Sequence, residues 1–262
     1  MRADTSRNTR EAPMPVHLVG AGPGDPGLLT RRGESLLRAA DAVFHDELVD
    51  PLVLDLAGVA RRFAVGRRAG RSGRDPVATA TQMARLAGRG MRVVRLKGGD
   101  SYLFGRGAEE AEALLDLGVP FEVVPGVSSA LAAPAAAGIP LTHRALASSV
   151  TIMTGHRGSD LARWRALATG ADTLVVLMGA SRLAEITQAL VMAGRSADTP
   201  AAVVAAATTP DQRHVISRLA MVAADAERLR LGTPAVLVVG EVVGLAQTLL
   251  NPALPALVSA AG

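Results

Sequence analysis

Short apolar runs alternate along the chain with longer stretches in which apolar residues return at helical spacing. The runs at 16–19, 42–45, 93–96, 121–124, 150–154, 173–178, 201–206 and 235–240 are too short for buried helices and rich in Val, Ile and Leu, so they predict strands. The run at 93–96 reads as a buried strand. Residues 61–65 and 213–217 are more polar and predict two further strands. Between them, Leu29, Leu36, Leu37 and Ala40 mark one helix, and 181–192 and 219–229 mark others. Asp75-Pro76 is a helix start, with a capping carboxylate and Pro at the first helical position, and that helix is expected to run to Ala87. Glu109, Glu110 and Glu112 suit the start of a helix after Gly107, and Ser128-Ser129 can cap an Ala-rich one. The alternation predicts an α/β protein of two α/β domains with the active-site cleft between them. An irregular polar stretch at 138–144 suggests a boundary, giving a tail at 1–14, domains at 15–145 and 146–250, and a second tail at 251–262.

The strands end in loops that invite ligands. The run at 93–96 breaks at Gly98-Gly99, where absent Cβ atoms let the chain turn and let a ligand approach the backbone. Asp100 follows at the carboxyl end of a strand, where open α/β sheets bind ligands. The first strand runs into GAGPGDPG. A dinucleotide fingerprint would need Gly at position 25, but Asp25 stands there, and Pro23 and Pro26 remove amide donors from the turn. Nicotinamide-dinucleotide binding is thus disfavoured, and no GxxxxGK[ST] phosphate loop exists.

Composition narrows the partners. Aromatics are 2% of 262 residues, so the core must be aliphatic and the stacking platforms for single strands are lacking. The net charge of +4 comes without a dense basic block, which favours an acidic small molecule over nucleic acid. There is no Cys, and the five His do not form a metal-ligand spacing, so no metal is expected. No apolar stretch is long enough to span a bilayer and the first thirty residues lack a leader pattern, so the expectation is a cytoplasmic protein without membrane contact. Lys97 is the sole lysine; every other basic side chain with a fixed charge is Arg.

GAGPGDPGLLT, VFHDELV, VGRRAG, RLKGGDSYLFGRG, VPGVSSALAAPAAAGIPLTHR, VLMGAS and GTPAVLVVGEVV occur in this order across about 230 residues. Together they resemble the tetrapyrrole methylases, and within them those that act on uroporphyrinogen III. The resemblance implies S-adenosylmethionine held in a cleft between two domains, a homodimer, and two successive methyl transfers to pyrrole carbons, giving precorrin-2 for siroheme and cobalamin. Rival readings are a methylase of a later corrinoid intermediate, against which the LTHR segment argues, and a non-catalytic tetrapyrrole-binding protein.

By the same resemblance, Pro23, Gly98, Gly99, Asp100, Leu103, Ser128, Ser129, Met178, Ala207 and Ala235 match cofactor-binding positions. For the apolar members, ordinary core is an equal reading. Asp46 matches the proton acceptor, although its local sequence also fits a helix cap before Leu48. Arg67 stands where the family usually has a Lys proton donor. That match makes Arg67 the second catalytic candidate beside Asp46; because Arg stays protonated, its expected role is to hold substrate carboxylates, the alternative being that the proton-donating step is impaired or handled elsewhere. His143 and Arg144 are substrate-binding candidates, with a linker hydrogen bond as the alternative. Ser101-Tyr102 replaces a common Pro-Phe, and Leu177 a frequent aromatic.

Overall fold

A computed structural model describes residues 12–66, 75–156 and 161–249. Arg67 lies outside the described residues. The chain forms β1 (Val16–Gly20), α1 (Arg31–Arg38), β2 (Ala42–His45), α2 (Pro51–Asp55), β3 (Arg61–Ala64), α3 (Pro76–Ala87), β4 (Val93–Lys97), α4 (Gly107–Asp116) and β5 (Phe121–Val124). After α5 (Ser129–Ala136) come β6 (Val150–Thr154), α6 (Leu161–Gly170), β7 (Thr173–Leu177), α7 (Leu183–Met192), β8 (Pro200–Ala205), β9 (Arg213–Arg218), α8 (Val222–Arg228), β10 (Ala235–Val239) and α9 (Ala246–Leu249).

The first sheet has the order β3-β2-β4-β1-β5 and is parallel throughout, so its carboxyl ends share one edge. Both faces are covered, as the continuous apolar runs require. Val16, Leu18, Phe44 and Val93 pack with Met83 and Leu114 of α3 and α4 on one face. Val19, Val43, Val94 and Leu96 pack with Leu37 and Val53 of α1 and α2 on the other. The second sheet, β6-β7-β10-β8-β9, is mixed: β6 and β7 are parallel, while β10 runs against both β7 and β8. Strands β7 and β8 therefore point the same way and end on the same edge.

Local chemistry sets the element ends. Asp75 caps α3 through the amide of Val77, with Pro76 at the first position, and the helix stops at Ala87 as its sequence predicts. Ser128 caps α5 by accepting from the amide of Ala130. Helix α2 is an element that the hydrophobic spacing did not announce, and it is capped by Asp50 rather than by Asp46. Although α5 follows the first sheet, its Ala130 and Ala133 pack with Val175, Val204 and Val238 of the second. It thereby couples the two halves.

Candidate active site

Three backbone segments cross at the carboxyl edge of the first sheet. Gly22 and Gly99 exchange amide–carbonyl bonds at 3.2 and 2.8 Å. A Cβ on Gly126 would lie 2.3 Å from the carbonyl oxygen of Gly99, and one on Gly20 would lie 2.5 Å from the amide of Gly126. Only glycine allows the loops after β1, β4 and β5 to touch in this way. Asp100 ties the crossing together: Oδ1 accepts from the amide of Tyr102 at 2.8 Å and Oδ2 from that of Gly126 at 3.0 Å. The start of α5 closes the group, since a Cβ on Gly99 would lie 3.8 Å from Ser128 Cα and Ser129 N.

The second sheet meets this edge with strained loops. Among the described residues, six other than glycine have a left-handed backbone, and five of them follow β4, β7 or β8: Phe104, Arg106, Met178, Ala206 and Thr208. Such conformations cost free energy and gather where a loop must hold a particular shape. The amide of Asp25 donates to Thr208 Oγ1 at 3.2 Å, and a Cβ on Gly24 would lie 2.6 Å from the Thr209 methyl. Thr208 is held in turn by Gln212, which accepts from its amide at 2.7 Å and donates to the carbonyl of Ala136 at 3.1 Å.

Most of the predicted cofactor positions therefore come together. Pro23 sits between Gly22, bonded to Gly99, and Gly24, packed on the loop of Ala207. Leu103 packs on the cluster that holds Leu177 and Ala207. Met178, half exposed, follows β7, which ends one residue earlier than its apolar run predicts. Ala235 opens β10 opposite Ala205, and Pro234 before it accepts from the amide of Ala206. His143 and Arg144 lie in an exposed turn, where His143 bonds Ala145 and Ala147 within the turn itself.

S-adenosylmethionine fits the chemistry of this edge. Gly98 has open space beside it, with Leu48 Cβ at 3.9 Å the nearest atom to an added Cβ. Leu103, Met178 and Ala207 offer apolar surface, and the partly exposed Asp100 carboxylate suits a cation. Both oxygens of Asp100 already accept backbone amides, so it shapes the loop as well as offering charge. Among the described residues no cluster of metal-ligating side chains occurs.

Asp46 follows β2 at the same edge. Its Oδ1 accepts from Arg95 Nη2, and its amide donates to the carbonyl of Leu96 at 3.2 Å. Sequence reasoning missed what lies behind it. Arg95, Lys97 and Glu110 are buried together, with Arg95 Nε 2.8 Å from Glu110 Oε1 and Lys97 Nζ 2.9 Å from Oε2. Burial is the main influence on the Lys97 ammonium and, with Arg95 beside it, holds its pKa below the usual lysine range. The available signal was two cations within an otherwise apolar strand, one of them the chain's sole lysine.

Residues 15–223 match the family model of the Tetrapyrrole (Corrin/Porphyrin) Methylases. The chain is 43% identical to a uroporphyrinogen-III C-methyltransferase of Synechocystis over 92% of this chain and 94% of that protein. It is 51% identical to siroheme synthase 1 of Yersinia pseudotuberculosis over 88% of its own length. The chain spans about half the length of such siroheme synthases, 49% in this case. The crystal structure of a uroporphyrin-III C-methyltransferase from Thermus thermophilus, complexed with S-adenosylhomocysteine, is similar with a TM-score of 0.75 and 42% identity. That match covers 88% of this chain and 99% of the other.

Proposed function

The chain belongs to the tetrapyrrole methylases, and from that premise we propose that it methylates uroporphyrinogen III twice, with S-adenosylmethionine as donor, to give precorrin-2. The observation that carries this reading is the glycine crossing at Gly20, Gly99 and Gly126, with the loop at 207–209 of the second sheet packed on Gly24 and Asp25 beside it. It offers bare backbone, apolar side chains and two carboxylates at strand ends, Asp46 after β2 and Asp100 after β4.

The bound donor supplies its methyl group as a sulfonium, so the bond to sulfur breaks as the bond to a pyrrole carbon forms. The protein's part is chiefly alignment, which in favourable cases is worth roughly 7–11 kcal/mol. Gly98, Gly99, Ser128 and Ser129 hold the donor through backbone and hydroxyl groups. Pro23, Leu103, Met178, Ala207 and Ala235 shape its apolar side. Asp46 takes the proton that the substrate must shed. Arg67, always protonated, binds substrate carboxylates, and Arg144 and His143 add to this from their exposed turn. We place the domains at 15–145 and 146–250 and expect a cytoplasmic homodimer, which sedimentation of the purified chain tests.

The reaction is tested by mass spectrometry after anaerobic incubation with uroporphyrinogen III and S-adenosylmethionine. A doubly methylated product is expected. Folded protein that binds uroporphyrinogen without methylating it would instead be a tetrapyrrole-binding protein, and methylation only of a later corrinoid would move the substrate along the pathway.

A further inference from the structure

Beneath the glycine crossing, four charged side chains form one connected group, and the reaction above gives work to only one of them. Arg95 and Lys97 stand two residues apart on β4, so both leave the strand on the face covered by α3 and α4. Glu110, in the first turns of α4, accepts from both, one carboxylate oxygen each. The other end of Arg95 donates through Nη1 to the carbonyl oxygens of Leu96, at 3.0 Å, and Phe44, at 3.4 Å. Its Nη2 donates to Asp46 Oδ1. Two cations and two anions balance.

The group is graded from inside to outside. The side chains of Lys97, Arg95 and Glu110 are 1%, 4% and 6% exposed, while that of Asp46 is 25% exposed. The chain of contacts thus ends on the one member that meets solvent, at the carboxyl edge. A buried ion cluster is a weak way to gain stability, because well-packed apolar side chains of the same volume often do as well or better. An apolar core cannot, however, hold a carboxylate still. Arg95 can: all three guanidinium nitrogens are engaged, so its plane cannot turn and its fork presents Nη2 to Asp46 in one direction.

We propose that Arg95 is a positioning residue for Asp46, anchored by Glu110, with Lys97 supplying the charge that keeps the anchor neutral overall. The inference rests on the reading of Asp46 as proton acceptor. The Lys97 stem lies under the loop above, where a Cβ on Gly105 would come within 3.3 Å of Lys97 Cε.

The test compares the wild type with Arg95→Met, Arg95→Lys and Glu110→Gln in the methylation assay. Arg95→Met is expected to lower kcat at least about tenfold while KM for S-adenosylmethionine stays within about twofold, the pattern of a lost transition-state contribution. Arg95→Lys stays low, because an ammonium cannot bridge Glu110 and Asp46 with a fixed plane. Glu110→Gln keeps the shape and one acceptor for Arg95, so it loses less, about three- to tenfold, and shifts the acidic limb of the kcat profile. A wild-type kcat and pH profile in folded Arg95→Met overturns the inference, and the same result in Glu110→Gln does so if Arg95→Met does not fold. If the wild type itself yields no methylated product, the proposed reaction fails instead. The positioning is then judged by carbon-13 titration of the Asp46 carboxyl, assigned with Asp46→Asn. A midpoint that moves by more than about half a unit in Glu110→Gln upholds it, and an unmoved midpoint overturns it.

Discussion

The two sheets have five strands each and are built from the same aliphatic residues, yet they bury different things. The first encloses Arg95, Lys97 and Glu110. The second, among the described residues, buries no charged side chain, only the hydroxyls of Thr173, Thr187 and Thr199. Strand direction is part of the reason. In the parallel sheet every strand delivers its following loop to one edge, and the glycine crossing and Asp46 both sit there. In the mixed sheet β7 and β8 bring Met178 and Ala206–Thr208 to the site, while β10 runs the other way and brings its first residue, Ala235. One half holds chemistry in place; the other supplies an apolar wall and loop shape.

The largest expected effect separates these roles. Glu110→Ala leaves Arg95 and Lys97 buried without their anion and is expected to cost about 3–5 kcal/mol in urea unfolding. Leu190, fully buried in the second core, offers the matched apolar truncation, and Leu190→Ala is expected to cost about 2–5 kcal/mol by cavity formation. The sharper difference lies in function: the catalytic loss per unit of lost stability should be much greater for Glu110→Ala. Equal loss of turnover in the two variants at matched stability would break the comparison.

Gly126→Ala probes the crossing itself. The new methyl would meet the Gly99 carbonyl, so the loops must separate, at a cost of about 2–3 kcal/mol. Binding of S-adenosylhomocysteine, followed by calorimetry, should fall with it. Gly194, on the far side of the second core, is a control with open space and a φ of +104°, where Gly194→Ala should strain the backbone without touching ligand affinity.

A smaller effect has the opposite sign. Ser101 is fully buried, and its hydroxyl is without a hydrogen-bond partner. Ser101→Ala removes that unsatisfied group and is expected to raise stability by about 1 kcal/mol, read as a higher urea midpoint at constant slope. A loss of stability would mean that the hydroxyl has a partner in solution.

The smallest effects concern pH. Asp41 in the first half is held at a pKa of about 2, chiefly by the Arg92 side chain. Asp172 in the second is held below its usual range, chiefly by the Ser148 amide and then the Ser149 hydroxyl. A carboxylate with a lowered pKa stabilises the fold above its unfolded value, about 3.9, and that part is lost as pH falls through the folded one. Asp41→Asn and Asp172→Asn should each flatten the acid limb of stability below about pH 4. Lys97 works in the other direction: protonated, it costs stability, and the cost is relieved as pH rises from its lowered value toward about 10.4. As the sole lysine it gives one signal in lysine-labelled protein, and a titration midpoint at or above 10.5 would contradict the buried environment described here.

Much of the fold was legible because its signals are local. Apolar runs of strand length, the Asp75-Pro76 start of α3 and the Ser128 cap of α5 each lie within a few residues of what they specify. Helix α2 escaped notice because five residues hold too little periodicity, and its Asp50-Pro51 start is its main mark. The glycine-rich loops and Asp100 could be singled out as candidates, since absent Cβ atoms at strand ends are a local signal, and the structure brings them together. The grasp of Gly24 by Thr209 and of Asp25 by Thr208 spans more than 180 residues, and nothing at either end announces it.

By itself the sequence determined the alternation of strands and helices, the aliphatic core, the glycine-rich loops at strand ends and, through its ordered motifs, the family. These follow from side-chain period, backbone permissiveness and composition, which act over one to a few turns of chain. Only the tertiary structure decided that Glu110, read from the sequence as one of three acids suited to a helix start, turns inward to hold Arg95 and Lys97, and that Arg95 reaches on to Asp46. The reason is that a buried charge is tolerable only beside its opposite, and whether that opposite is near depends on which face of which element packs on which strand.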